Sequence, residues 1–159
     1  MAGNLNVIRV NTDNSVDVFY PVNNETLTDI MRKIDGAFIY DGDLYEYSKW
    51  DDTTKTVVED VDEKYLQELA DWKLERDDKV ANIIVTTSKG YQFDGNETAQ
   101  TRMTRALLGL SGDAAIPWVL ADDTTILATK KDLGEALYLA GSEQARLWTE
   151  NRPVPPIKE

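Results

Sequence analysis

The sequence predicts an α+β protein. A small N-terminal antiparallel β-sheet carrying one helix spans 1–60. A three-helix unit with two interleaved short β-hairpins follows at 61–152, and a Pro-rich tail closes the chain at 153–159. Three observations predict this. Between Trp72 and Trp148 the apolar spacing changes from helical to strand and back twice, with turn residues at each change. The first 58 residues are β-rich runs punctuated by Asn, Asp and Gly clusters. The last seven residues hold Pro153, Pro155 and Pro156, which restrict φ and push their predecessors out of the helical region.

Leu5 to Val10 and Val16 to Tyr20 are separated by Asn11-Thr12-Asp13-Asn14-Ser15, whose side chains bond their own backbone and tolerate left-handed conformations, so a hairpin is expected. Pro21 closes it. Leu27, Ile30, Met31 and Ile34 mark a short helix ending at Asp35-Gly36, with Gly36 suited to the positive φ after a helix. Ala37 to Tyr40 and Leu44 to Trp50 flank Asp41-Gly42-Asp43, which reads as a tight hairpin turn. On that reading Leu44, Glu46, Ser48 and Trp50 share one strand face, and Tyr45, Tyr47 and Lys49 the other. Lys55 to Val58 returns as one more strand. Glu59-Asp60-Val61-Asp62-Glu63 is expected to be a solvated boundary whose acids favour the start of the next helix. A metal site is the competing use, but the Gly and terminal Glu of a calcium loop are missing.

In the second part, Tyr65, Leu69, Trp72 and Val80 form one stripe of a helix from about Glu63 to Asn82. Ala99, Met103, Ala106 and Leu110 line a second. Leu133, Leu137, Ala140, Gln144 and Leu147 line a third, opened by Thr129 and Asp132 as a capping box with Asp in place of Glu, so it starts at Lys130. Between the helices, Ile83 to Val85 and Tyr91 to Phe93 flank a Gly-containing turn, and Trp118 to Leu120 and Thr125 to Leu127 flank Ala121-Asp122-Asp123-Thr124. The prolines of the tail are expected to stop the last helix.

Composition narrows the chemistry. The 159 residues carry a net charge of −12, from 17 basic and 29 acidic side chains; residues 1–80 alone hold 9 basic and 19 acidic. Such a body repels phosphate backbones, so nucleic acid is not an expected partner. There is no cysteine and no histidine, which removes the cysteine nucleophile, the usual base near neutral pH and most zinc sites. No cofactor is expected. No run approaches the length needed to span a bilayer, and the N-terminus lacks the basic and apolar regions of a signal peptide, so the expectation is a soluble protein made in a cytoplasm, without a membrane partner. Gly109-Leu110-Ser111-Gly112-Asp113 has the outline of a hydrolase elbow, but it follows a helix and has no histidine to activate Ser111; a helix-ending turn accounts for it. Nothing selects a catalytic pair among the carboxylates.

Trp72, Trp118 and Trp148 are expected in the core of the helix-and-hairpin unit. Tyr45, Tyr47 and Trp50 are candidate interface residues, since Tyr and Trp are enriched at binding hot spots, and a sugar platform is the lesser use of those rings. The extended tail adds Pro153, Val154, Pro155, Pro156 and Ile157 to the candidate interface.

A longer pattern runs through the second part: Trp72-Lys-Leu-Glu-Arg-Asp-Asp-Lys-Val-Ala, Tyr91-Gln-Phe-Asp-Gly-Asn, Ala99-Gln-Thr-Arg-Met-Thr-Arg-Ala-Leu, Ile116-Pro-Trp, and Lys131-Asp-Leu-Gly-Glu-Ala-Leu ending in Leu147-Trp148. It resembles a tail-fibre-associated domain of uncharacterised function found in tailed bacteriophages, in both residues and order. The resemblance covers about 70–150 and brings no catalytic residues with it. It implies a non-enzymatic structural or adaptor protein of a phage tail, at the baseplate or fibre-attachment region. The implied partners are other tail proteins (fibre, baseplate or tail-tube subunits) in a homo- or hetero-oligomer, and the implied location is the virion. A tail-fibre assembly chaperone left out of the particle is the alternative. A tail-associated carbohydrate-active enzyme is a third, disfavoured by the lack of a repeated β pattern and of a selected catalytic pair.

Overall fold

A computed structural model describes residues 4–158. The fold is α+β, with small antiparallel sheets and four helices among the described residues. Contacts divide the chain into two units: the residues up to Gln67 with the tail from Pro155, and Glu68–Val154.

In the first unit, β1 (Leu5–Val10) pairs antiparallel with both β2 (Val16–Phe19) and β3 (Ala37–Asp41), giving the order β2-β1-β3. The Asn-rich hairpin forms as expected: Asn14 takes φ +65°, and Asp13 Oδ1 accepts from the Ser15 backbone N–H at 3.0 Å. α1 (Leu27–Lys33) follows a complete capping box of Thr26 and Asp29, and Gly36 adopts φ +74° two residues after the C-cap. β1 is covered on both faces, since Val7 and Ile8, which point oppositely, are both fully buried.

The Asp41-Gly42-Asp43 hairpin is not formed. β3 returns to β1, and its neighbour in sequence, β4 (Ser48–Asp51), pairs instead with β5 (Thr56–Glu59) as a separate two-stranded sheet. The expected alternation through Leu44–Trp50 fails with it, because 44–47 lie outside any strand. The physical reason is long-range burial. Pairing β3 with β1 sets Ile8 opposite Phe38, and Phe38 and Tyr40 then pack edge-on against Trp50, with ring centroids 5.8 and 6.1 Å apart. Gly42 serves that packing and not a turn: a Cβ there would lie 2.5 Å from the Tyr40 hydroxyl, which in turn accepts the Val57 backbone N–H at 3.0 Å.

The acidic boundary is also corrected. β5 runs to Glu59 and α2 (Val61–Ala81) begins at Val61, leaving Asp60, whose carboxylate accepts the Glu63 N–H at 3.2 Å. The division between the units falls inside α2. Asp62 and Glu63 do occupy its first turn, where the helix dipole favours them.

The second unit follows the expected order: β6 (Ile84–Thr86), β7 (Gln92–Asp94), α3 (Glu97–Gly109), β8 (Ala115–Val119), β9 (Thr125–Thr129) and α4 (Lys130–Leu147). Its core is Phe93, Met103, Leu133, Ala128, Ala136 and Ala140, all fully buried, with Val80, Ile83, Val85 and Ala99 around them. Burying a side chain of the Phe or Met class contributes about 1.5–3 kcal/mol. α3 packs on α4, with the small residues Ala99 and Ala140 and the long side chain of Met103 in the shared core. Gly95 is required at the β7–α3 junction, since a Cβ there would run into Ile83 and lie 3.1 Å from Ala140 Cβ. Thr129 and Asp132 cap α4 reciprocally as expected. The Ser111 segment is a helix-ending turn, with Gly112 at φ +55°.

Two expectations fail here. α4 ends at Leu147, well before Pro153, in a turn where Asn151 takes φ +54°, so the prolines do not stop it. Trp148 is 47% exposed and is not core, because it follows the last core residue of α4, Leu147. Trp118 packs against the core and Trp72 is half-buried.

Candidate interaction surface

The residues singled out from sequence sit in different local settings. Tyr45 is exposed and lies in the irregular segment before β4, where its backbone N–H and C=O both bond the Ser48 hydroxyl. Tyr47 is half-buried, and its carbonyl accepts the Asp60 N–H at 2.7 Å. Trp50 is drawn into the packing against Phe38 and Tyr40 and bonds Asp52 through its indole N–H at 3.2 Å. In the tail, Val154 and Ile157 are almost fully exposed, Pro155 is exposed, and Pro153 and Pro156 are half-buried; the segment has no regular secondary structure.

Sequence reading missed Arg76. It lies on the inner stripe of α2, between Leu69-Trp72 and Val80, and its guanidinium stacks 4.3 Å from the Trp148 ring centroid and 5.1 Å from that of Trp72. Arg152 approaches Trp72 from 5.9 Å, and the Trp72 indole donates to the Glu150 carbonyl at 2.9 Å. The four-residue step from Trp72 to Arg76 was the available signal. The stack fastens the end of α4 to α2 and leaves one open cleft of about 650 Å³ beside Trp148, Asp77, Asn96 and Glu97.

A second polar cluster clamps the β6–β7 turn to the start of α4. Ser88 donates its backbone N–H and hydroxyl to the two Glu135 carboxylate oxygens at 2.6 and 2.9 Å. Lys89 Nζ lies 2.7 Å from Asp132, which is 2% exposed. The Lys89 ammonium, with the Thr129 N–H and hydroxyl, lowers the Asp132 carboxyl from 3.8 to about 2, against the opposing effect of burial. The same contact raises Lys89.

The β8–β9 hairpin departs from a normal solvent face. Pro117 pairs with Leu127 and Val119 with Thr125. The alternate residues Ile116, Trp118, Ile126 and Ala128 turn to the core. Consequently Pro117, Val119 and Leu127 share the outer face; Leu127 is 70% and Val119 57% exposed. An antiparallel hairpin with one buried face normally carries polar residues on the other. The turn is tied by its own side chain: Asp122 Oδ1 accepts from both the N–H and the hydroxyl of Thr124, at 3.0 and 2.6 Å, which lowers the Asp122 carboxyl. Beside this face, a groove of about 290 Å³ runs between β7 and β8, floored by Ala99 and Trp118 with Arg102 at its mouth. Among the described residues no cluster of three or more Asp or Glu side chains is arranged to hold a metal ion, and no helix is long and apolar enough to cross a membrane.

No known protein family, curated protein or solved structure matches the chain.

Proposed function

We propose that the chain is a non-enzymatic adaptor of a bacteriophage tail, which joins neighbouring tail proteins through packed surfaces at the baseplate or fibre-attachment region. The observation that carries the protein-binding part is the outer face of β8–β9, where Pro117, Val119 and Leu127 remain exposed on a hairpin whose other face is already committed to the core. Apolar side chains displayed together on a hairpin are what a protein interface buries. The phage-tail part rests on the ordered motif from Trp72 to Trp148. The acidic body fits a protein partner better than a nucleic acid.

Quantitative mass spectrometry of purified virions tests the placement. An adaptor is present at a copy number fixed by tail symmetry. Absence from virions, together with recovery bound to free fibres from infected cells, would replace this reading with that of an assembly chaperone.

A further inference from the structure

We propose that the groove between β7 and β8 receives an extended segment of a partner protein that carries an acidic side chain, added as a strand along the free edge of β8. This deepens the adaptor reading and rests on it.

The backbone phase shows which groups the edge offers. Leu120 donates to Thr124 across the turn at 2.8 Å, so the even-numbered residues 116, 118 and 120 direct their backbone groups toward β9. Ala115, Pro117 and Val119 therefore turn theirs outward. Pro117 agrees, since a proline in a strand sits where its missing N–H faces an open edge. On the other side, Thr87 donates to Tyr91 and Gly95 donates to Ile83, so the odd residues of the β7 segment serve β6, and Gln92 and Asp94 face outward. The two edges meet at one hydrogen bond, Ala121 N–H to the Gln92 carbonyl at 2.9 Å. From that hinge they diverge, and the groove with Trp118 and Ala99 at its floor opens between them. The Val119 N–H, the Pro117 carbonyl and the Asp94 backbone are left aimed at the space a strand would fill.

Charge narrows the occupant: Asp94 is the one acid lining the groove, and Arg102 with Arg105 along α3 leaves a net positive mouth. Arg102 at the groove mouth and Arg105 one turn on are both exposed, and neither forms an ion pair among the described residues, in a protein with 29 acidic side chains. Strand addition supplies affinity through main-chain bonds, and a carboxylate opposite Arg102 supplies selectivity.

The test is selection of short linear peptides from a random library on the immobilised full chain, followed by amide hydrogen exchange of the complex. The expected peptides alternate β-branched residues and share an Asp or Glu, and they slow exchange at the Val119 and Asp94 amides. Arg102→Glu weakens them by roughly tenfold or more and shifts a fresh selection toward Lys and Arg. Val119→Pro, which removes an outward N–H as Pro117 already does, abolishes capture while circular dichroism remains native. The proposal is overturned by a selection that yields no peptide, by protection at other amides, or by a charge preference that Arg102→Glu leaves unchanged. It is equally overturned if concentrated protein alone protects Val119 and Asp94, which would make a second copy the occupant. Absence of the chain from virions would remove the tail assignment and leave the peptide result standing.

Discussion

Replacing Asp132 by Asn separates the charge of this buried carboxylate from its shape. Asn keeps an oxygen for the Thr129 backbone N–H, so the cap of α4 survives and the ion pair with Lys89 is lost. The Asp132 carboxyl is held at about 2 against an ordinary 3.8. At about 1.36 kcal/mol per pKa unit, the displacement corresponds to about 2 kcal/mol of native-state stabilisation. Lys89 is 52% exposed, and solvent screening brings the expected loss to about 1–2 kcal/mol. Because the folded value lies below the unfolded one, the contribution is complete above about pH 4 and is lost as the pH falls toward 2. Urea unfolding of wild type and Asp132→Asn at a series of pH values measures this. The variant is weaker at pH 7, and the two curves approach each other as the pH falls through about 2 and converge below it. A stability difference that stays constant from pH 6 to pH 2, or is absent at pH 7, would refute the assignment of the charge to the fold.

Four further outcomes follow from the same geometry. Gly95→Ala drives a methyl into Ile83 and toward Ala140, and is expected to cost about 1–3 kcal/mol in urea unfolding, where an exposed Gly→Ala change would be neutral or stabilising. Met103→Ala, at a fully buried position, is expected to cost about 2–5 kcal/mol by the same measurement. Trp148→Ala removes an exposed ring stacked on Arg76, and thermal denaturation should register a loss of only about 1 kcal/mol, well below that of a core tryptophan. Leu127→Glu changes stability by less than about 0.5 kcal/mol, because the side chain is largely in water, yet it abolishes co-purification with the partner.

Local chemistry was legible wherever the local signal and the tertiary packing agree. The Thr129 and Asp132 box, the Asn-rich β1–β2 turn and the Gly112 turn all satisfy neighbouring backbone groups, and their order along the chain is their order in the fold. The periodicity of Ala99, Met103 and Ala140 likewise reads directly as core. Asp41-Gly42 misled because its local turn preference competes with the pairing of β3 to β1, where Ile8 is fully buried and Phe38 and Trp50 are half-buried against each other; burial over a long sequence separation is invisible in a dipeptide. Trp50 drew attention as an interface ring for the same reason, since nothing local shows that Phe38 and Tyr40 meet it. The outer face of β8–β9 was overlooked because the runs at 118–120 and 125–127 mark strands without showing which face is buried, and only the register shows that Ile116, Trp118, Ile126 and Ala128 already supply the core. Arg76 was not singled out, because only the return of α4 beside α2 places Trp148 against it.

The protein-binding claim is tested most directly by a photo-crosslinking amino acid placed at Leu127 and, as a control, at the equally exposed Tyr138 of α4, in cells producing phage. The account predicts an adduct from position 127 to a fibre, baseplate or tail-tube subunit and none to that subunit from position 138. Crosslinks from 127 that reach only water and unrelated abundant proteins, with the phage assembling normally around an unmodified chain, would contradict it.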